Sequence, residues 1–198
     1  METSLNIEGN KIEFLGHSGF LISLKNEKKI AVDPYNLSDK VPKADLILIT
    51  HSHHDHCSIK DIEKISRDGT TIVVPPDAQS KITKIKNVEM QIVEVGDVLD
   101  LNYIKIETFP AYNIDKKFHP KSEGWLGYLI KINGTTIYHA GDTDKIPEMS
   151  KLTGYGKKGN YFVALLPVSG TYVMTAEEAA DAASLISPSV AIPMHYGA

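Results

Sequence analysis

The sequence predicts an α/β fold of the α+β kind: two sheets with helices packed outside them, in a single domain spanning 1–198. Three observations predict it. Strand-length segments dominate, in the order strands, helix, strand, helix, several strands, helix, strand. Two of these segments, DLILIT (45–50) and YFVALLPV (161–168), are continuous apolar runs, the pattern of strands buried on both faces. A chain of 198 residues with 42% hydrophobic content can bury a core without disulfides or a stapling metal.

Residues 11–16 (KIEFLG), 20–24 (FLISL) and 29–33 (KIAVD) read as short strands separated by breaks at Gly9-Asn10, His17-Ser18-Gly19 and Asn26-Glu27. The apolar run 45–50 follows. Behind it, SIKDIEKISRDG (58–69) reads as a helix: Ser58 can cap it, Ile59, Ile62 and Ile65 recur at helical spacing, and Gly69 stops it. TTIVVP (70–75) is a strand and DAQSKITKIKN (77–87) a modest helix. Strands in 88–95 and 100–109 are joined by a Gly96-Asp97 turn, and 111–124 breaks every period and reads as a long loop. WLGYLIKI and TTIYHAGD form a hairpin across Asn133-Gly134, a pair suited to a type I′ turn. After the apolar run 161–168, TAEEAADAASLIS opens with a Thr175-to-Glu178 capping box and ends at Pro188; SVAIPMH (189–195) is the last strand.

Composition narrows the function classes. A net charge of −4 leaves no basic footprint for nucleic acid, although local lysines can still hold a small anion. The single cysteine, Cys57, excludes an internal disulfide framework and suits a reducing compartment. METSLNIEGNKIEF has neither a basic n-region nor an apolar h-region, and no apolar run reaches membrane-spanning length. The expected location is the cytoplasm, with a small-molecule partner, no nucleic acid, no membrane, and room for homo-oligomerisation.

The densest chemistry lies in THSHHDHCS (50–58), where four histidines and an aspartate occupy six consecutive positions at the end of a buried strand. In an extended segment, positions 51, 53 and 55 share one face while 54 and 56 point the other way. His51 and His53 can thus converge on one ion, and a turn at Asp55 would bring that carboxylate and His56 to a second. Asp142 and His195 end two further strand segments and offer the carboxylate and imidazole a second ion needs. Imidazole with carboxylate suits Zn2+, and Mn2+ or Fe2+ where oxygen ligands predominate. The plainer alternative is a histidine-rich surface loop. The H-x-H-x-D-H order at a strand end favours the ligand reading.

FLGHSGFLI (14–22), AVDPY (31–35), THSHHDH (50–56), IYHAGDT (137–143), LLPVSGTY (165–172) and IPMHYG (192–197) follow in this order. The chain thereby resembles the metallo-β-lactamase superfamily along its length, and within it the small hydrolases similar to ascorbate-6-phosphate lactonase and the N-acylphosphatidylethanolamine phospholipase D branch. That resemblance implies an αββα four-layer sandwich with two divalent ions, His51 and His53 on the first, Asp55, His56 and His195 on the second, and Asp142 bridging. Two departures stand out. The family's third histidine for the first ion falls in a P-A-x-H-like segment, which here is PAYN (110–113), so either His119 of FHPK reaches back or Asn113 or water fills the position. His119 is preferred, imidazole being the better ligand. Similar proteins also continue past H-Y-G, so a C-terminal helix is expected to be missing after 198.

Other residues carry paired readings. Asp33 either orients a ligating histidine or caps the Pro34-Tyr35-Asn36 bend. His17 is left outside the ligand set as a turn histidine, His54 should point away, and His139 reads as a hydrogen-bonded strand histidine. Cys57 reads as a packed small side chain. Lys116, Lys117 and Lys121 either bind an anion or, more commonly for such residues, face solvent. Tyr112, Trp125 and Tyr172 either line a wall or pack, and the Ser169-Gly170-Thr171 turn can shape a rim.

The function expected is a metal-dependent hydrolase that uses a metal-bound hydroxide on an ester-like bond, with Asp55 or Asp142 handling the proton and no Ser or Cys triad. A lactonase-type reaction leads and a phosphodiesterase follows. The alternative from another class is a non-catalytic metal-binding or sensing module, which a weakened first site would leave.

Overall fold

The computed structural model describes residues 4–157 and 159–196, so Gly197 of the IPMHYG segment lies outside the described residues. The chain divides into two compact units, the first running to Val93 and the second from Glu94 to Tyr196. The α/β (α+β) fold class read from the sequence is the one observed, with two mixed sheets and few helices.

The first unit is a seven-stranded sheet in chain order: β1 (Ser4–Ile7), β2 (Asn10–Gly16), β3 (Gly19–Ser23), β4 (Lys29–Val32), β5 (Leu46–Leu48), β6 (Thr70–Val74) and β7 (Val88–Ile92). Pairing is antiparallel from β1 to β4 and parallel from β4 to β7, where crossovers replace hairpins. Leu21, Ala31, Ile47, Ile49, Ile72 and Val74 point to one face and pack with Ile62 and Ile65 of α1 (Ile59–Ile65) and with Ile82 of α2 (Gln79–Ile82). The alternating residues Phe20, Ile22, Ile30, Val32, Leu46 and Leu48 are fully buried as well, which is why DLILIT shows no polar alternation.

Several boundaries differ from expectation for local reasons. β1 is too short and polar to announce itself; it pairs with β2 across Glu8-Gly9, both at positive φ (51° and 77°). At Asn133-Gly134, by contrast, only Gly134 has positive φ (72°), so this hairpin does not use a type I′ turn, which needs two such residues. Ser58 makes no side-chain cap; its hydroxyl donates to Asp61 Oδ2 at 2.6 Å, and Asp61 in turn accepts from the Asn36 and Leu37 amides at 2.9 Å. α1 ends at Ile65, with Ser66 already extended, so Gly69 serves the turn into β6 and not the helix stop. The helix expected over 77–87 shrinks to a 3₁₀ turn (Pro76–Ala78) and α2. It lacks a side-chain cap, and Thr83 bonds back to the Ser80 carbonyl at 3.0 Å, a competition that β-branched hydroxyl residues bring to short helices.

The second unit is a six-stranded sheet ordered β13-β12-β11-β10-β9-β8. Its strands are β8 (Val98–Asp100), β9 (Lys105–Pro110), β10 (Leu126–Ile132), β11 (Thr135–His139), β12 (Tyr161–Pro167) and β13 (Val190–Met194). β8 to β11 pair antiparallel, and β11, β12 and β13 pair parallel. α3 (Ala176–Ile186) provides the crossover to β13, begins with the capping box read from the sequence, and buries Ala179, Ala182 and Ile186. The irregular 111–124 segment holds one 3₁₀ turn, Lys121–Glu123. Among the described residues no helix is long and apolar enough to cross a membrane.

Candidate metal-binding clusters

In the first unit, β5 runs out into Thr50 and His51. The next residues turn sharply, with the His56 and Cys57 amides both donating to the His53 carbonyl at 3.1 and 2.8 Å. That turn swings His56 back beside His51, with ring centroids 4.1 Å apart. Asp33, at the end of the neighbouring strand β4 and wholly buried, holds the group together. Its Oδ1 accepts from the Thr50 amide at 2.8 Å, and its Oδ2 accepts from the Thr50 hydroxyl at 2.6 Å and from His56 Nδ1 at 2.8 Å.

These contacts fix ring tautomers by elimination. A carboxylate only accepts, so His56 must donate from Nδ1 and keep its lone pair on Nε2. The Thr50 hydroxyl has one proton and gives it to Asp33, so at 2.9 Å it accepts from His51 Nδ1, which again leaves the lone pair on Nε2. His51 Nε2 lies 3.1 Å from His53 Nδ1. Asp55 Oδ2 lies 3.9 Å from His56 Nε2 and 3.0 Å from His17 Nε2. His17, set outside the ligand set on sequence grounds, thus sits against Asp55. His54 is 85% exposed, as the variable position of the motif should be. Of the two readings of Asp33, the structure shows the orienting one. Its φ of 43°, like the 52° of His17 and the 61° of His195, is the kind of backbone strain that collects around functional groups.

In the second unit, Asp142 lies three residues past β11, in a loop that needs glycine: at Gly141 (φ 65°) a Cβ would stand 2.4 Å from the Leu126 carbonyl oxygen. Asp142 is 3% exposed, and its Oδ2 receives two imidazoles, His195 Nε2 at 2.9 Å and His119 Nε2 at 3.1 Å. His195 Nδ1 rests against the Ser169 hydroxyl at 3.1 Å, which gives the Ser169-Gly170-Thr171 turn a positioning contact. His119 is reached because the 111–124 segment closes on itself, the Asn113 amide donating to the His119 carbonyl at 2.7 Å. Asn113 stands behind His119, on the Nδ1 side of its ring. His139 is fully buried and accepts from the Gly141 amide through Nδ1 at 3.3 Å, the structural role read for it.

The donor sets of both units, imidazole nitrogens with carboxylate oxygens, are those of zinc and of its oxygen-tolerant neighbours manganese and iron. Two of the three candidate anion-binding lysines are paired with carboxylates. Lys116 pairs with Asp144 at 2.6 Å and Lys121 with Glu148 at 2.9 Å, while Lys117 is exposed. Tyr112 is buried with its hydroxyl on Glu148 at 2.8 Å, and Trp125 stands edge-on to His119 at 5.4 Å between centroids. Cys57 is 3% exposed in the apolar core, and burial pushes its thiol pKa up to about 11. It is therefore a packed side chain. A thiol reagent such as Ellman's should leave native protein unreacted for hours and titrate one thiol per chain in denaturant. Rapid native reaction would contradict the packing described.

Comparisons with known proteins fit this geometry. A family model described as "Beta-lactamase superfamily domain" matches residues 11–195. A UPF0173 metal-dependent hydrolase from Thermococcus kodakarensis is 36% identical, over 94% of this chain and 84% of the relative. One from Thermoplasma acidophilum is 34% identical, over 96% and 84%. Among solved structures, a Parabacteroides distasonis protein is 34% identical with a TM-score of 0.85, over 98% of this chain and 87% of that one. Igni18, a metallo hydrolase from Ignicoccus hospitalis, is 28% identical with a TM-score of 0.73, over 95% and 83%.

Proposed function

The chain belongs to the metallo-β-lactamase superfamily as a metal-dependent hydrolase, and from that premise we propose that it hydrolyses an ester-like bond with two divalent ions, Zn2+ first and Mn2+ or Fe2+ as alternatives. The proposed ligands are His51, His53, Asp55 and His56 of the first unit and His119, Asp142 and His195 of the second. One observation carries the reading. In the first unit the hydrogen bonds spend Nδ1 of His51 and of His56 as a donor, which keeps their Nε2 atoms for a ligand role, and in the second the Nε2 edges of His119 and His195 meet one carboxylate oxygen. Lone pairs facing a carboxylate are stable when a cation lies among them.

When bound, such ions lower the pKa of water toward neutrality and polarise the substrate oxygen. The chain's own groups supply the rest. Asp33 and Thr50 hold His56 and His51 in their ligating tautomers. Asp55, 24% exposed at its side chain and held 3.0 Å from His17 Nε2, is the carboxylate suited to take a proton. Asp142, nearly buried, is suited to holding charge. A lactone is the favoured substrate and a phosphodiester the second reading; both need only this apparatus and no side-chain nucleophile. The pairing of Lys116 and Lys121 with carboxylates weighs against a substrate carrying several phosphates. The partner is a small molecule, with the cytoplasm as the proposed compartment.

Elemental mass spectrometry on protein purified without a His-tag should find about two transition-metal ions per chain. A lactone panel and bis(p-nitrophenyl) phosphate should then be turned over, silenced by chelator and restored by metal. Asp55→Ala should remove that turnover with the circular dichroism spectrum unchanged. Metal binding with no turnover across the panel would leave the non-catalytic sensing module, and retained turnover in Asp55→Ala would sink the proton-transfer role.

A further inference from the structure

Asn113 occupies the place where the family pattern puts a histidine, and the structure shows what it does there. Every polar atom of its side chain is engaged. Oδ1 accepts from the His119 backbone amide at 2.9 Å and meets His119 Nδ1 at 3.1 Å. Nδ2 donates to Asp144 Oδ1 at 3.2 Å and to the Tyr172 carbonyl at 3.0 Å. The amide orientation is not arbitrary: a backbone N–H can only donate, so the atom facing it is the oxygen, and the NH2 group faces two acceptors. The Tyr172 carbonyl also lies 3.2 Å from His119 Nδ1. With two acceptors against it, Nδ1 must carry a proton, which leaves Nε2, the atom turned to Asp142, as the one a cation can claim.

Behind Asn113 the arrangement continues. Asp144 is 4% exposed, accepts from the Ile114 amide at 2.9 Å, and is neutralised by Lys116 Nζ at 2.6 Å. Lys116 is thus spent on holding Asp144, and Asp144 on holding the Asn113 amide.

We infer that Asn113 is a positioning residue, anchored by the Asp144–Lys116 pair, that fixes His119 in the Nδ1–H tautomer and aims Nε2 at a metal. Asn113 is not itself a ligand on this reading, because its oxygen is held by His119 and its nitrogen by Asp144 and Tyr172. The inference rests on the reading of His119 as a ligand. It assigns a role to three residues, Asn113, Asp144 and Lys116, which that reading leaves without one.

The test uses Zn2+ alone and reads no activity. Long-range 1H–15N spectra of Zn2+-loaded protein above pH 8, with His119 identified by its loss in His119→Gln, should show a protonated Nδ1 and an Nε2 without a proton. An Nε2–H tautomer there overturns the proposal with no further variant. Competition with a chromophoric chelator should then show Asn113→Leu binding Zn2+ about 10–100-fold more weakly, with His119 in mixed tautomers. Asn113→Gln, which keeps both the amide acceptor and the amide donors, should bind Zn2+ more tightly than the Leu variant and retain Nδ1–H. Equal losses in the Leu and Gln variants, or none in either, would overturn the positioning role. Should the Leu variant fail to fold, the parent spectrum and the Gln variant decide. If Zn2+ leaves the His119 resonances of the parent unmoved, the ligand reading fails instead, and the two failures are distinguishable.

Discussion

Asp142→Ala should cost hydrolysis more than about a hundredfold, since losing a mere orienting partner of a metal ligand already costs 10–100-fold. It should also lower metal content, because His119 and His195 both direct Nε2 to the one carboxylate oxygen, at 3.1 and 2.9 Å. The fold should persist: Asp142 sits in a loop beyond β11 and contributes no strand pairing. Turnover and elemental analysis on the same preparation, with circular dichroism as the control, check this. Full activity with undiminished metal would remove Asp142 from the chemistry altogether.

The second large effect concerns stability as well as binding. Asp33→Ala strands three buried donors, the Thr50 amide, the Thr50 hydroxyl and His56 Nδ1. An unsatisfied buried group costs roughly 1–3 kcal/mol, so the total should be at least about 3 kcal/mol in urea unfolding. Asp33→Asn separates the two roles. It keeps an acceptor for the Thr50 amide and so should lose less stability. Its NH2 group then faces the Thr50 hydroxyl and the His56 ring, and the only bond it can make to the ring is to an unprotonated Nδ1, the wrong tautomer for ligation through Nε2. Zn2+ affinity should fall about 10–100-fold even where the fold survives. An Asn variant that binds Zn2+ like the parent would show that Asp33 acts through packing alone.

Much of this was legible along the chain. The apolar run 45–50, the clustered histidines behind it, the capping box at Thr175 and the strand ends before Asp142 and His195 are all local signals, set by side-chain period and by residue type. The helix expected over 77–87 forms at its start but stops at Ile82, uncapped and followed by β-branched Thr83. The hairpin at Asn133-Gly134 forms, but with a different turn type, because only Gly134 takes positive φ. β1 gave no signal, having four residues and one buried side chain.

What the sequence by itself determined is the inventory: which ligand-type side chains exist, and that most of them fall where strands end. Only the tertiary structure decided their hydrogen-bond partners. Nothing in FHPK says that His119, six residues from Asn113, closes back on it, or that Lys116 serves Asp144 and not an anion. Nor does AVDPY say that Asp33 reaches Thr50 and His56, 17 and 23 residues away. The physical reason is common to these cases. Which nitrogen of an imidazole keeps its lone pair depends on the acceptor packed against the other one, and residues far apart in the chain meet only when strands pair and loops close.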